Sequence, residues 1–298
     1  MSRLKEFLDW IGVNRSALVR GLVRQGNPRL RELRAGALAG GNVRARAQGV
    51  FVRWLESGWL RVQTGRAGMI RLSLQYLPIS HSQIGSIAFG DLESPVQEAI
   101  VRHLAPGAVM YDIGANIGFF SLLGARLAGP EPGHVYAFEP APVNAEAIRV
   151  NASRNEFSNV TVIAKAVGDA QQRVRLQLVD DAAWSKLEGY GAHPLTEDVL
   201  EVEQVAIDEL IAAGEIRPPA LVKIDVEGAE LAVLQGMRET IAIHQPAIVC
   251  ELHGTNREFV AAMDAVGYRV INLDGPGPVD QPGAGSYALA LPRTSPGD

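Results

Sequence analysis

The chain has 298 residues, 47% of them hydrophobic, and a formal net charge of −5 at pH 7, which allows one large or two small domains around a buried core. One cysteine, Cys250, excludes an intramolecular disulfide, and no stretch reaches the ~18 consecutive apolar residues of a membrane-spanning helix. Arg3, Lys5, Glu6 and Asp9 interrupt the apolar run that a signal peptide would need, so the expected location is cytoplasmic.

The net charge conceals an asymmetry. Residues 1–71 carry 14 Lys+Arg against 4 Asp+Glu, whereas the remainder carries 14 basic and 29 acidic groups. Residues 1–35 read as one or two helices broken near Gly26-Asn27-Pro28, and the Gly-, Ala- and Arg-rich residues 36–49 read as a linker. Trp59–Thr64 and Met69–Leu74 alternate apolar with polar around Gly65, the pattern of a β-hairpin. The favoured partner of this basic segment is the acidic part of its own chain or of a second subunit in a homo-oligomer. Membrane association ranks second, because Leu4, Phe7, Leu8 and Ile11 form an apolar stripe beside Arg3 and Lys5. Nucleic acid is disfavoured, since no basic–aromatic alternation is present. Residues 1–90 are therefore expected to be an N-terminal helical and hairpin extension, and residues 91–298 the main domain.

The main domain opens with an expected helix over Pro95–Leu104 and then a short apolar strand that runs into Tyr111-Asp112-Ile113-Gly114-Ala115-Asn116-Ile117-Gly118. A helix over 119–128 follows. Glycines tolerate φ > 0 and let another group approach the backbone, and the helix start offers unpaired N–H groups. The spacing Asp-x-Gly-x-x-x-Gly is not the Gly-x-Gly-x-x-Gly that seats a dinucleotide pyrophosphate. An acid inside the loop suits a ligand with an ammonium group, such as S-adenosylmethionine. A second strand, His134–Phe138, ends at Glu139-Pro140, with Glu139 25 residues past Gly114. That is near the ~20-residue offset at which an acid meets ribose hydroxyls in nucleotide-binding units. A third strand over Val160–Val167 ends in Gly168-Asp169. Three strand-end acids in succession point to one cofactor cleft at the carboxyl edge of an open α/β sheet.

Further strands are expected at Leu176–Val179, Leu200–Val205, Leu221–Asp225, Ala247–Glu251, Tyr268–Leu273 and Ser286–Leu291, with helices over Ala229–Ile243 and Arg257–Val266. Asp180–Leu195, which holds Trp184, Ser185 and Lys186, and the Pro- and Gly-rich 275–285 read as loops. The residues after Pro292 read as a disordered tail.

From Asp112 to about Leu252 the sequence resembles the FkbM family of S-adenosylmethionine-dependent methyltransferases. The resemblance is carried by the Tyr111–Gly118 block, Phe138-Glu139-Pro140, Ala166-Val167-Gly168-Asp169, Ala206-Ile207-Asp208-Glu209-Leu210, and Lys223-Ile224-Asp225-Val226-Glu227-Gly228-Ala229-Glu230. Val233-Leu234-Gln235-Gly236 and Cys250-Glu251-Leu252 continue it. It implies an α/β fold with a doubly wound, seven-stranded, Rossmann-like methyltransferase sheet. It also implies methyl transfer to oxygen, on a sugar, glycolipid or secondary-metabolite hydroxyl. In that reading Tyr111, Asp112, Gly114, Ala115, Asn116 and Gly118 surround the methionine part of the cofactor and Glu139-Pro140 meets the ribose. Ala166, Val167 and Asp169 border the adenine, and Asp225 lies near the sulfonium.

An alcohol loses its proton as it attacks, so a positioned base or a Lewis-acidic metal assists it. Asp225-x-Glu227 and Glu251-x-His253 supply two polar pairs, and period-2 spacing puts each on one face of its strand end. Strands ~4.8 Å apart would let the pairs converge. His253, with an ordinary pKa near 6.5, is the expected base, while Glu227 could instead cap the following helix and Lys223 is expected to form an ion pair. Asp225, Glu227, Glu251 and His253 could also hold a divalent ion, but no recognised metal-binding spacing is present and a metal is not favoured. Two other functions compete, a nicotinamide-dependent oxidoreductase and a catalytically silent cofactor-fold binding module. The missing dinucleotide fingerprint argues against the first.

Overall fold

The computed structural model describes residues 59–64, 68–73, 76, 87, 90, 92–179, 186–187, 196–281 and 287–293. The expected helices of residues 1–35, the linker 36–49, most of the Asp180–Leu195 loop, residues 282–286 and the tail after Arg293 lie outside the described residues. The chain divides into two compact units, Met1–Leu92 and Glu93–Asp298.

In the first unit, β1 (Trp59–Thr64) and β2 (Gly68–Ser73) form the expected antiparallel hairpin, with Val62 opposite Ile70 and Thr64 opposite Gly68. Val62, Ile70 and Leu72 are fully buried, as alternation on one face requires.

The second unit is built on seven strands. After α1 (Ser94–His103) come β3 (Val109–Ile113), α2 (Phe119–Ala128), β4 (His134–Phe138), α3 (Pro142–Arg154) and β5 (Val160–Ile163). Later come β10 (Leu221–Ile224), β11 (Ala247–Glu251), β12 (Tyr268–Asn272) and β13 (Tyr287–Pro292). The spatial order is β12-β13-β11-β10-β3-β4-β5. β11, β10, β3, β4 and β5 run parallel, and β13 is antiparallel to both neighbours. The order reverses between β3 and β10, whose carboxyl ends flank the crevice where such sheets bind ligands. The inner strands are near-continuous apolar runs because both faces are covered.

Three expectations need correction. Val160–Val167 is two strands rather than one. The chain turns at Ala164-Lys165, and β6 (Ala166–Val167) leaves the main sheet to pair in parallel with β9 (Thr196–Val205). The expected strands at Leu176–Val179 and Leu200–Val205 belong to this second sheet, as the longer antiparallel pair β7 (Gln172–Val179) and β9, with β8 (Lys186–Leu187) on the edge of β7. α4 (Ile207–Ala212) returns the chain to β10. The helix expected over Ala229–Ile243 is broken into α5 (Glu230–Gly236) and α6 (Arg238–His244). The break falls at Met237, directly after Gly236, where only glycine fits because a Cβ would lie 1.9 Å from the Gly168 carbonyl oxygen. Asp208 then caps α6, accepting the N–H groups of Glu239 and Thr240, each at 2.8 Å, and the Thr240 hydroxyl. α7 (Asn256–Ala265) precedes the β12–β13 pair. No helix among the described residues is long and apolar enough to cross a membrane.

Candidate active site

The Gly114–Gly118 loop is stitched to the end of β4. The N–H groups of Gly114 and Ala115 both donate to the Phe138 carbonyl at 3.0 Å. Glu139 continues the stitching, Oε2 accepting from the Asn116 N–H at 2.8 Å and Oε1 from the Ala141 N–H at 2.9 Å. Burial pushes the Glu139 carboxyl up to about 7, although these bonds and one from Asn144 oppose the shift. Gly114 has φ +76°, and a Cβ on it would sit 1.8 Å from the Asp225 carbonyl oxygen. The glycine is thus demanded by the end of β10, where the Asp225 N–H donates to the Ile113 carbonyl at 3.0 Å.

Beneath the loop, Asp112 is wholly buried. The Ser121 hydroxyl donates to its Oδ2 at 2.5 Å, and Lys223 Nζ lies 3.8 Å from its Oδ1. Lys223, only 4% exposed, donates to Asp225 Oδ2 at 3.1 Å and lies over the Phe120 ring. Burial alone would lower the Lys223 pKa, but the carboxylates of Asp225, Asp112 and Glu93 outweigh it, so the ammonium stays charged. The ion pair expected of Lys223 is present. Burial raises Asp112 despite Lys223. Asp112 Oδ1 and Asn116 Oδ1 are buried and accept no hydrogen bond from the described residues. Two unfilled acceptors beside a glycine loop fit a ligand bearing an ammonium donor, as S-adenosylmethionine does.

The two polar pairs converge. Asp225, Glu251 and His253 each offer a ligand-type atom within 4.8 Å of the others. His253 Nε2 lies 3.6 Å from Glu227 Oε2 and 3.8 Å from Glu251 Oε1, and its Nδ1 lies 2.8 Å from Glu230 Oε1. Glu227 therefore faces the histidine; α5 begins only after Ala229. Glu230 is fully buried and also accepts the Thr255 hydroxyl at 3.0 Å and the Gly228 N–H at 2.9 Å. Burial would raise Glu230, but these bonds and the histidine hold its carboxyl below the usual range. A base oriented by a buried carboxylate is the geometry of many activated sites.

The histidine's acidity departs from expectation. Burial would lower it, but the bond to Glu230 and the charges of Glu227, Asp225 and Glu251 push it up to about 9. Near neutral pH His253 is an imidazolium, not the free base expected from its ordinary pKa. Burial, reinforced by Asp225 and opposed by His253, instead pushes Glu251 up to about 7.

The remaining expected cofactor residues are mostly buried. Tyr111 has no exposed surface, its hydroxyl donates to the Arg217 carbonyl at 2.6 Å, and its ring packs edge-on against Tyr136 and Phe138, so its side chain serves the core. Ala166 and Val167 are buried in the β6–β9 pairing, and Asp169 is exposed, its Oδ1 3.3 Å from Gln204 Nε2. Ala115 is buried and Pro140 half-buried beside Glu139. Sequence reasoning missed Glu93, Glu230, Thr255 and Tyr287, the last of which pairs in register with Glu251. Glu230 closes a recognised motif, but nothing in its spacing says that it faces His253.

The strand order with its antiparallel β13, and the acidic crevice at the carboxyl ends of β3, β10 and β11, define a Rossmann-like methyltransferase fold. Residues 112–270 match the methyltransferase FkbM domain, and the chain belongs to that family. The 31-O-demethyl-FK506 methyltransferase FkbM of Streptomyces tacrolimicus is 32% identical over 65% of this chain and 86% of its own length. The hexuronic acid methyltransferase AglP of Haloferax volcanii is 30% identical over 54% of this chain and 62% of its own length. A solved methyltransferase FkbM from Methylobacillus flagellatus KT is similar at 18% identity and a TM-score of 0.44, over 89% of this chain and 58% of that one. The chain is an S-adenosylmethionine-dependent methyltransferase by its family; the sequence matches carry that assignment, and the structural likeness adds nothing to it.

Proposed function

We propose that this enzyme methylates a hydroxyl group of a small-molecule, glycan or lipid-linked acceptor, and that Glu251 receives the hydroxyl proton. The observation that carries this is the convergence of Asp225, Glu251 and His253 beside the Asp112–Gly118 loop. The O-demethyl acceptor named for the Streptomyces relative and the sugar acid named for the Haloferax relative support an oxygen acceptor of this class.

S-adenosylmethionine supplies an electrophilic methyl group on a sulfonium. Asp112 and Asn116 would take its ammonium, Glu139 its ribose hydroxyls, and Ala166, Val167 and Asp169 the adenine side. Lys223 neutralises Asp112 and holds Asp225 still. As the acceptor oxygen forms its bond to the methyl carbon, the carbon–sulfur bond breaks and the hydroxyl proton passes to Glu251. A carboxyl near 7 matches that task at neutral pH, because an acceptor of protons works best with a pKa close to the operating pH. His253, charged and held by Glu230, keeps Glu227 and Glu251 from repelling each other and fixes their positions. The chain's own contribution is mainly positioning, which lowers the barrier by pre-ordering the two reactants.

The spacing of Asp225, Glu251 and His253 also supports a second reading, a divalent ion that lowers the acceptor's pKa. Single-turnover transfer of labelled methyl to a panel of alcohols, amines and carboxylates, with and without chelator, tests both. Transfer to an alcohol that chelation leaves intact supports the carboxylate base; loss of transfer on chelation favours the ion; transfer confined to amines or carboxylates would refute the hydroxyl assignment. A cytoplasmic location, and subunit or membrane-surface contact through the basic residues 1–71, remain proposals supported by the sequence alone.

A further inference from the structure

Glu93 is conspicuous in the second unit for what it does not do. It precedes α1 with φ 45° and ψ 51°, a left-handed conformation that strains a non-glycine residue. Its backbone carbonyl serves the helix, accepting from the N–H groups of Val96 at 2.9 Å and Gln97 at 3.1 Å. Its side chain makes no capping bond, although an acid at a helix start ordinarily takes one. Instead Oε2 is buried without a hydrogen-bond partner among the described residues. The groups that act on the carboxyl electrostatically are Lys223, Asp225, Glu251 and Asp112, those of the active site. Tyr287, in register beside Glu251, feels Glu93, Glu251 and Asp225 together, and α1 packs against β11 and β13, the strands that carry Glu251 and Tyr287.

Left-handed non-glycine residues concentrate here. Of the five among the described residues, Glu93, Asn116 and Glu227 belong to this crevice or its loop. Backbone strain with an unfilled buried polar group, aimed at one place, marks a residue held for a ligand rather than for the fold.

We propose that Glu93 is an acceptor-binding, specificity-determining residue, and that its carboxyl takes a second hydroxyl of the acceptor while Asp225 and Glu251 hold the hydroxyl being methylated. The acceptor class is then a polyol rather than a simple alcohol. Among the described residues, Glu93, Asp112, Asp225, Glu227, Glu230 and Glu251 are set against two cations, Lys223 and His253, and such an acidic surround favours an uncharged polyol over one bearing a carboxylate. Burial, with the neighbouring carboxylates, pushes the Glu93 carboxyl up to about 8, so near neutral pH it can donate as well as accept a hydrogen bond. This inference rests on the hydroxyl-methylation reading of the site.

The test compares wild type with Glu93→Gly, which keeps the left-handed turn and deletes the carboxyl, and with Glu93→Gln, which keeps the shape. The acceptors are a cyclic diol or sugar and its mono-deoxy analogue, assayed for methyl transfer and by calorimetry. Preference for the polyol should fall roughly 2–13-fold in Glu93→Gly, the scale for losing a hydrogen bond to an uncharged group, and partly recover in Glu93→Gln. Cofactor affinity and melting temperature should not fall. An unchanged polyol preference, or a lowered melting temperature with both acceptors affected alike, would overturn the proposal. A wild type that transfers methyl to diol and mono-deoxy analogue equally well overturns it too, while leaving hydroxyl methylation standing. Failure to transfer to any hydroxyl overturns the hydroxyl reading instead. Calorimetry then judges Glu93: weaker polyol binding by Glu93→Gly supports it, and equal or absent binding by wild type and variant overturns it.

Discussion

Replacing Lys223 by methionine should destabilise the fold in a pH-dependent way. The side chain is 5% exposed and pairs with Asp112, which is 0% exposed, and with Asp225, which is 25% exposed. Once the ammonium is gone, Asp225 can turn to water but Asp112 cannot. Asp112 keeps the Ser121 hydroxyl and the Ser121 backbone N–H. Removing one partner of a buried ion pair costs ~3–5 kcal/mol, and the retained hydrogen bonds and the escape of Asp225 place this case near ~3 kcal/mol. For a unit of this size that is a fall in melting temperature of roughly 6–12 °C. The Asp112 pKa is already raised by burial, and losing Lys223 raises it further. A carboxyl whose folded pKa lies above its unfolded value loses stability as pH rises through the folded value. The variant should therefore lie closer to wild type at pH 6 than at pH 8. Thermal melts followed by circular dichroism at the two pH values measure this, and Asp112→Asn in the same chain should restore most of the loss. An unchanged melting temperature, or a double variant no better than the single one, would refute the account of this pair.

Glu139→Gln should weaken S-adenosylmethionine binding by ~1–3 kcal/mol in calorimetry, through the ribose and through looser anchoring of the Asn116 N–H; an unchanged dissociation constant would remove Glu139 from the cofactor site. Gly114→Ala must force the Asp225 carbonyl aside while adopting φ +76°, so purified variant should melt lower and transfer methyl more slowly; a wild-type melt and rate would show that the two strand ends can part freely. In His253→Gln the cation that lowers Glu251 is lost, so the rising limb of the pH–rate profile should move to higher pH; a limb that stays in place would mean that Glu251 is not the titrating group.

The inner strands β3, β4, β10 and β11 are legible in the sequence because each is a short apolar run closed by an acid or a turn residue. So is the strand-end position of Asp225, Glu227, Glu251 and His253. Periodicity could not say that Ala166-Val167 abandons one sheet for another, because a two-residue bridge is decided by its partner, Gln204-Val205. α3 escaped notice because its buried face, Ile148 apart, is alanine and asparagine, with Asn151 donating to the Ile117 carbonyl at 2.9 Å, and gives no apolar stripe. Gly236 reads as one more helical residue until Gly168 arrives against it. His253 is legible as a site residue, but its charge state is not, since that depends on Glu230 and Glu227, which spacing cannot place. Glu93 is 132 residues from Asp225 in sequence and met it only through the packing of α1.

The assignment of Glu251 as proton acceptor is tested most directly by the pH dependence of single-turnover methyl transfer in wild type and in Glu251→Gln. Wild-type rate should rise through about 7 as Glu251 loses its proton and decline above about 9 as His253 loses the charge that holds the carboxylates in place. The two values belong to the coupled pair. Glu251→Gln should lose the rising limb and fall by roughly 10²–10⁴ in rate, the usual contribution of a positioned acid or base. A wild-type rate that stays low until about 9, or a Glu251→Gln variant with near-normal rate and profile, would contradict it and return the base to His253.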